Sequence, residues 1–432
     1  MDTALVWFRN NLRVQDNSSL THAIASGKRI IGLYCFDPKQ FQIGDFGFKK
    51  TEKYRAQFLI ETVQNLKKNL NNLNITLIVT HEHPEVAIPE LIEQHDISEI
   101  YSQKEWTHEE NEVTHAVEEK INNVKHHLYF DQFLFHPEDI PFDTFGDIPQ
   151  VFTQFRKKCE KESSVQPLQE KIEALPSENL LDEESDIPNL QELGLDTFTK
   201  DHRSAFPWNG GEDEAWSRLN DYFWNTKKLQ YYKKTRNGLV GEDYSSKLSA
   251  WLANGSISAR QIYWEVKKFE KEIISNQDTY WLIFELIWRD YFKYVSLKHG
   301  NDLFKIGGIL NKEYDWKRND KAQREWIHGN TTYDFVNANM IELKETGWMS
   351  NRGRQNVASF WAKEQQQDWR VGAAYFESIL IDYDVHSNWA NWMYNAGVGN
   401  DPRDRKFNIK RQQEMYDGNG KFVRLWTQNE LF

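Results

Sequence analysis

Cysteine is scarce in this sequence, and the signals of several large protein classes are missing. Only two cysteines, Cys35 and Cys159, occur among the 432 residues, too few for a disulfide framework or a structural zinc site. Neither a signal peptide nor a long apolar run is evident. We therefore expect a soluble protein of a reducing compartment, the cytoplasm, with no membrane partner and no bound metal.

Basic residues do not outnumber acidic ones. The formal net charge is -12, which argues against a protein that coats nucleic acid non-specifically, because such proteins carry a basic surplus. A local basic groove stays compatible with this charge. The sequence also lacks a fixed repeat and low-complexity blocks, which argues against solenoids and propellers.

The length predicts two domains, since single cores usually stop growing at about 250 to 300 residues. In the first part, short apolar runs alternate with helical patterns, which predicts a doubly wound α/β domain with a five-stranded parallel sheet over residues 1–130. The predicted strands are residues 4–8, 29–36, 75–80, 99–103 and 127–135. The predicted helices between them are residues 54–70, 84–95 and 108–123.

Two further patterns occupy the rest of the chain. Residues 157–193 mix charged residues, Ser and Pro with little periodicity, which indicates a long interdomain connection, placed at residues 131–197. Helical periodicity then dominates, so residues 198–432 are predicted to form an all-α domain. Its first predicted helices are residues 215–229, 245–254, 259–274 and 279–299.

No glycine-rich phosphate-binding loop follows the first strand. Residues 7–13 read WFRNNLR in place of G-x-G-x-x-G, so an ordinary Rossmann dinucleotide site is disfavoured. The composition instead includes 17 Trp, which is more indole than an ordinary core needs. Most of these rings are expected to pack in the core, and some are candidates for electron transfer or base stacking.

A carboxylate stands in the middle of a strongly apolar helical pattern. Residues 280–292 read YWLIFELIWRDYF, and Trp281, Trp288 and Arg289 lie three or four residues from Glu285, on one helix face. Burying a carboxylate is costly unless it is paired. Glu285 therefore either pairs with Arg289, which the residues alone favour, or meets a polar ligand in a cavity.

Other segments combine cations, hydroxyls and carboxylates. Residues 232–236 (YKKTR) and 245–249 (SSKLS) lie where a helix is predicted to begin, which suits either a bound phosphate or plain capping by Ser245. Residues 351–356 (NRGRQN) and 382–388 (DYDVHSN) predict a buried pair of Arg and Asp side chains. His386 has no nucleophile or metal ligand at a telling spacing, which indicates a structural role.

Together these segments resemble the photolyase and cryptochrome family over almost the whole chain, from residues 6–13 to residues 420–426. Three stretches resemble its DASH-type cryptochromes in particular: residues 232–239, 346–360 and 381–392. The resemblance implies FAD in the helical domain and light-driven repair of cyclobutane pyrimidine dimers, preferentially in single-stranded DNA. A blue-light photoreceptor that signals without repair is the alternative that the sequence leaves open.

The resemblance also assigns residues to the flavin. Asn388 is expected to face its reactive ring nitrogen, where a neutral amide favours reduced over oxidised flavin. Trp392, Trp369 and Trp316 match the family's tryptophan chain, which carries electrons to photoexcited flavin. The expected flavin-contacting residues are Tyr232, Ser245, Ser246, Lys247, Leu248, Ser249, Trp281, Arg289, Asn351, Arg354, Asp382, Asp384 and Asn388.

Four positions are expected at the DNA lesion. Glu285 and Trp288 match the family's dimer-facing helix, where the carboxyl group hydrogen-bonds the lesion and the indole stacks on a flipped base. Tyr394 and Gln355 stand where ordinary dimer photolyases have Trp and Met, a departure shared with DASH-type proteins. Because flipping a dimer out of a duplex costs free energy, this more polar pocket predicts a preference for lesions in single strands.

An antenna pigment is expected by the same resemblance. Glu105 matches a folate-binding acid of DASH-type proteins, and Lys298 lies in a segment expected to close the same pocket. This predicts bound 5,10-methenyltetrahydrofolate. Trp106, beside Glu105, departs from the pattern. A monomer is expected by the same likeness.

Overall fold

The computed structural model describes residues 2–121 and 123–428. Its first part contains the strands β1 (Thr3–Trp7), β2 (Arg29–Cys35), β3 (Thr76–Thr80), β4 (Ile97–Gln103) and β5 (Lys125–Tyr129). The helices beside them are α1 (Ser18–Ala25), α2 (Lys53–Asn71), α3 (Pro84–His95) and α4 (His108–Glu118). The five strands pair in parallel in the order β3-β2-β1-β4-β5. The predicted doubly wound α/β arrangement is confirmed.

Both faces of the sheet are covered, which is why its strands read as continuous apolar runs. In β1, Ala4 and Val6 pack into one buried apolar cluster, and Leu5 and Trp7 pack into another. At their carboxyl ends, β1 and β2 line a cavity together with residues 383–386 of the helical part. The sheet therefore presents the edge at which α/β proteins usually bind ligands.

The fifth strand is shorter than predicted. The prediction of a strand over residues 127–135 is wrong beyond Tyr129, because the backbone N–H groups of Leu134 and Phe135 donate to the Asp290 carboxylate at 2.8–2.9 Å. Their side chains are buried in the core of the helical part. The predicted helix over residues 108–123 also ends early, at Glu118, and Asn122 lies outside the described residues.

Most of the remaining described chain is helical, as predicted. The helices are α5 (Phe152–Glu162), α6 (Glu212–Asn220), α7 (Tyr232–Thr235), α8 (Ser249–Asn254), α9 (Ala259–Glu272), α10 (Gln277–His299), α11 (Asp320–Ile327), α12 (Asp334–Thr346), α13 (Asn351–Ser359), α14 (Trp369–Ile379), α15 (Val385–Ala396), α16 (Ile409–Tyr416) and α17 (Lys421–Thr427). The longest is α10, with 23 residues, and it packs against α5, α7, α9 and α15. It therefore forms the central support of the helical part.

Two of the predicted helices differ from the structure. The helix predicted over residues 215–229 is interrupted, because α6 passes into a π-helical turn at Asp221–Asn225. The helix predicted from Ser245 begins only at Ser249, because Lys247 has a left-handed backbone with φ of +64°, which a right-handed helix cannot contain. Capping of a helix by Ser245 is therefore wrong.

The predicted connection is partly structured. It contains α5, whose Phe152, Phe155 and Cys159 are buried, and farther along the chain Leu190 and Leu193 enter the core of the α/β part. Both cysteines are buried and unpaired, and burial raises the pKa of each thiol to about 12. The boundaries at residues 130 and 197 stay predictions.

A buried network of four charges joins the α/β part to the helical part. Arg13 contacts Asp131 at 3.0 Å, and Arg260, from α9, contacts Asp16 at 2.9 Å and Asp131 at 3.3 Å. All four side chains are at most 5% exposed. Removing one partner of such a network leaves a buried charge uncompensated.

Asp131→Ala is expected to destabilise the protein by about 3 to 5 kcal/mol, because Arg13 and Arg260 lose a shared buried partner. The measurement is urea denaturation of the purified protein followed by circular dichroism. Glu325→Ala, which removes the same charge from the exposed pair with Lys321, is the control and should cost about 1 kcal/mol or less. Equal denaturation midpoints for the two variants would contradict the assignment.

Candidate functional site

Three adjoining cavities open in the helical part among α7, α8, α10, α13 and α15. Asn351 and Ser387 line all three, so they form one continuous site. We call them the α8 cavity, which the 245–249 segment lines, the α15 cavity, which Asn388 and Trp392 line, and the outer cavity, which Trp288 lines. Of the predicted flavin contacts, the α8 cavity contains Tyr232, Ser245, Ser246, Lys247, Leu248, Ser249, Arg289, Asn351, Arg354, Asp382 and Asp384.

The 245–249 segment is held in an irregular conformation by a buried arginine. Arg218 donates to the carbonyl oxygens of Ser245 and Ser246, each at 3.1 Å. The side chain of Lys247 is buried against the rings of Tyr244 and Trp348, with its ammonium nitrogen 3.3 Å and 4.8 Å from their centroids. The segment therefore carries a cation into the wall of the α8 cavity.

The ammonium group of Lys247 makes no hydrogen bond within the described part of the chain. Burial lowers the pKa of Lys247 well below its usual value, although the carboxylate of Glu342 opposes this shift. A buried ammonium without a hydrogen-bond partner is costly. The α8 cavity is therefore suited to an anionic ligand such as a phosphate.

The predicted pair of Arg354 and Asp382 forms. Arg354 Nη2 donates to both carboxylate oxygens of Asp382, at 2.8 Å and 3.0 Å, and the hydroxyl of Ser249 donates to Asp382 at 2.7 Å. These contacts join α13, the loop before α15 and the start of α8. They fix the wall that the α8 and α15 cavities share.

Asn388 and Trp392 project from α15 into the α15 cavity. The Asn388 amide nitrogen donates to the carbonyl of Ala373 at 3.0 Å, which leaves its carbonyl oxygen as an acceptor. Asp384 caps α15 by accepting from the backbone N–H of Ser387 at 2.8 Å. Burial opposes ionisation of Asp384, but the ammonium of Lys293, with His386 and Arg289, lowers its pKa below the usual range.

Glu285 is paired with a residue outside its own helix. Its carboxylate lies 2.7 Å from Arg236 at the end of α7, so the expected pairing with Arg289 is wrong. Arg289 instead donates to the carbonyls of Gln132 and Leu252, because spacing on a helix fixes which residues are neighbours and not which way their side chains turn. Burial raises the pKa of Glu285, and Arg236 opposes this shift.

The outer cavity brings together all four predicted lesion residues: Glu285, Trp288, Gln355 and Tyr394. Trp288 stacks on Phe152 with ring centroids 3.6 Å apart and meets Tyr394 edge-on at 6.1 Å. The result is an aromatic wall beside a paired carboxylate.

Trp281 does not line these cavities. It stacks on Phe284 at 4.4 Å and lies beneath the ammonium of Lys233 at 4.3 Å. Its ring also lies 5.8 Å from the guanidinium of Arg236, which lines the α8 and outer cavities, so Trp281 packs behind the cavity wall.

The three predicted electron-transfer tryptophans occupy neighbouring elements. Trp392 lines the α15 cavity, Trp369 begins α14 and donates to the carbonyl of Ile306, and Trp316 packs on Tyr314 at 5.3 Å. The rings of Trp392 and Trp326 lie 6.1 Å apart. Trp326 is a neighbour that sequence reasoning missed.

A separate interdomain cavity lies at the carboxyl ends of β1 and β2 and is lined by Glu105, Gln132 and Asp384. The Glu105 carboxylate accepts from three amides, those of Asn10 at 3.1 Å and of Gln103 and Gln132 at 2.8 Å. Lys298 is not brought to this cavity.

Lys298 donates to the carbonyl of Ile148 at 2.7 Å. Trp106, the departure next to Glu105, stacks on His386 with centroids 4.4 Å apart and donates to the hydroxyl of Ser296 at 2.7 Å. Its indole therefore fills the contact between the α/β part and α15.

Glu342 is a buried carboxylate that sequence reasoning missed. It lies in α12 and is 1% exposed. Burial raises its pKa to about 8, although Lys247 and Arg354 oppose the shift. Its only sequence signal is an acidic residue among apolar ones at 340–343. The same pattern is common on half-buried helices, so it does not indicate a buried carboxylate.

Two family models match the chain. The model described as DNA photolyase matches residues 4–176, and the model described as the FAD binding domain of DNA photolyase matches residues 281–430. These matches, together with the fold and the cavities, define the class as photolyase-type flavoproteins.

Similar proteins cover nearly the full length. A protein of Synechocystis sp. named Cryptochrome DASH is 47% identical over 430 residues, with 98% of this chain and 87% of that protein covered. A Danio rerio protein of the same name is 45% identical, with 98% and 83% covered. The crystal structure of a Synechocystis cryptochrome has a TM-score of 0.94 at 47% identity, with 99% and 88% covered.

The chain therefore belongs to the photolyase and cryptochrome family, as predicted, with relatives named Cryptochrome DASH. It carries that family's FAD-binding domain. No described helix is long and apolar enough to cross a membrane.

Glu342→Gln is expected to flatten the pH dependence of stability. Because the pKa of Glu342 rises from 4.5 to about 8 on folding, the folded state keeps a proton that the unfolded chain releases, so the stability from this group declines as pH rises between those values. The measurement is the melting temperature of the FAD-loaded protein across that range. Glu325→Gln should keep the wild-type slope, and an unchanged slope in Glu342→Gln would contradict the assignment.

Proposed function

We propose that this protein is a light-driven photolyase that repairs cyclobutane pyrimidine dimers, preferentially in single-stranded DNA. The observation that carries the proposal is the outer cavity. There an aromatic wall and the Glu285–Arg236 pair open directly into the cavities with the predicted flavin contacts. A cofactor and a flipped dimer would thus lie in contact.

The lining of the α8 and α15 cavities fits FAD. The ammonium of Lys247, which packs on two rings but makes no hydrogen bond to the described residues, suits a phosphate. The carbonyl oxygen of Asn388 is available to accept from a protonated flavin nitrogen. The Arg354–Asp382 pair holds the wall between these two positions. When bound, reduced FAD supplies the light-driven electron to the dimer and receives it back after the ring splits.

The residues of the outer cavity hold the lesion. Trp288 offers its ring for stacking on a flipped base, and Tyr394 closes one side of the cavity. Glu285, fixed by Arg236, is placed to hydrogen-bond the lesion. Tyr394 and Gln355 make this cavity more polar than one formed by Trp and Met, so it binds the lesion too weakly to extract it from a duplex but captures it in a single strand.

Three accessory features belong to the proposal. Trp392, Trp369 and Trp316 carry electrons from the surface to the flavin site, Trp392 being next to it. The interdomain cavity binds 5,10-methenyltetrahydrofolate. The Glu105 carboxylate accepts hydrogen bonds from the ring N–H groups of this pigment. The protein acts as a monomer in the cytoplasm, and the two buried, unpaired thiols fit the reducing conditions of that compartment.

Glu285→Gln is expected to lower light-driven repair by about tenfold to hundredfold, because an N–H group of the lesion then meets a neutral amide oxygen in place of the charged carboxylate that accepts its hydrogen bond. The measurement is chromatographic loss of thymine dimers from single-stranded and duplex oligonucleotides under blue light, with dark samples in parallel. Glu325→Gln should repair like the wild type, and the wild type should repair mainly the single strand. Photoreduction of the flavin without repair of either substrate would overturn the proposal and favour a photoreceptor.

Trp392→Phe is expected to slow photoreduction of oxidised FAD strongly, because the electron donor next to the flavin site is removed. Dimer repair by chemically reduced protein should be kept, since that step does not use the tryptophans. The measurement is loss of flavin absorbance under blue light with an external reductant. Trp264→Phe changes an indole at the surface and is the control; photoreduction at the wild-type rate in Trp392→Phe would exclude this route.

A further inference from the structure

A buried polar layer lies between the interdomain cavity and the α8 and α15 cavities. Its central residue is Lys293 of α10, whose side chain is fully buried. Asp384 lines the interdomain cavity and also the α8 and α15 cavities. The two sites are thus only a few side chains apart.

A continuous chain of hydrogen bonds crosses this layer. The amide nitrogen of Gln132 donates to Glu105 at 2.8 Å, and the amide oxygen of Gln132 accepts from Lys293 at 2.6 Å. Lys293 also donates to Asp384 at 2.9 Å. The chain therefore runs from Glu105 to Asp384 without a gap.

The charges along this chain alternate. A carboxylate, the dipole of an amide, an ammonium and a second carboxylate follow one another, so each group is oriented by its neighbours. In a poorly solvated interior such interactions are stronger than in water, and the bonds of a chain polarise one another. A change in the charge of Glu105 therefore changes the electrostatic potential at Asp384.

A second link runs beside the first. Trp106, the neighbour of Glu105, stacks on His386 of α15, and the hydroxyl of Ser296 bonds to both of these rings. Both links end at the first turn of α15, the helix that carries Asn388. The backbone carbonyl of Gln132 also accepts from Arg289, which lines the α8 cavity.

From this geometry we propose that Gln132 and Lys293 are positioning residues that couple the interdomain cavity to the flavin site. A heteroaromatic ligand that donates N–H groups to Glu105 withdraws negative charge from the chain. The flavin site then becomes less negative, which favours reduced FAD. The inference rests on the proposed FAD site. The part of the test below that uses a ligand also rests on the proposed binding of folate.

The first arm of the test needs no antenna ligand. Glu105→Gln should raise the ratio of reduced to oxidised FAD at a fixed potential by about fivefold or more, the usual lower range of coupling between sites. Glu109→Gln is the matched control. Glu109 lines the same cavity, but its partner is Lys50, and neither residue belongs to the chain of hydrogen bonds from Glu105 to Asp384. Its ratio should stay near that of the wild type.

Gln132→Met then interrupts the chain while keeping a side chain of similar length. In that background Glu105→Gln should lose its effect on the ratio, whereas a purely through-space field would persist. FAD content and circular dichroism verify that each variant is folded. A flavin ratio in Glu105→Gln equal to that of Glu109→Gln, or an effect that survives Gln132→Met, would overturn the inference.

The second arm uses the unmodified protein, so it does not depend on the folding of a variant. 5,10-Methenyltetrahydrofolate is titrated against oxidised and reduced holoprotein, and by reciprocity its affinity should be higher for the reduced form. Equal affinities would overturn the coupling while leaving the folate assignment intact. Absence of folate binding, or of dimer repair, would overturn only the proposed function, and the first arm would still decide the coupling.

Discussion

The pairing of charges on the buried helix α10 is the constraint on which the site depends. A charged group in a poorly solvated interior must find a partner, and α10 carries four charged groups between residues 285 and 293. The partners come from four places: Arg236 after α7 for Glu285, the backbone of Leu134 and Phe135 for Asp290, carbonyls for Arg289, and Gln132 and Asp384 for Lys293. Satisfying these groups brings the α/β part, α7 and α15 to one helix, and the cavities lie where they meet.

The sheet could be predicted because parallel strands covered on both faces leave a clear signal, a short apolar run between helical patterns. The same signal was misleading after Tyr129, since Leu134 and Phe135 are apolar for the core of the helical part and their backbone bonds to Asp290. The start of α8 could not be predicted either. Lys247 adopts a left-handed backbone that its residue type does not favour, and only the buried contacts of Arg218 and of the lysine itself account for it.

The candidate site was predicted in its membership more than in its contacts. Motif resemblance gives positions along the chain, and most of the resulting residues do line connected cavities. It does not give the direction of a side chain, which is why Glu285 pairs with Arg236 and not with Arg289. For the same reason Trp281 packs behind the cavity wall, and Lys298 bonds to the carbonyl of Ile148. The side chains that surround Glu342 and Gln132 come from parts of the protein distant in sequence. No local pattern could therefore indicate these two residues.

The burial of both thiols has a consequence for a protein with a flavin-binding domain. Flavin photochemistry in air forms oxidants, and the thiolate is the form of cysteine that they attack. Because burial keeps Cys35 and Cys159 protonated, with each pKa raised to about 12, both sulfurs stay in their unreactive form at physiological pH. Cys35 lines the interdomain cavity, so a molecule that enters this cavity meets a thiol that resists oxidation.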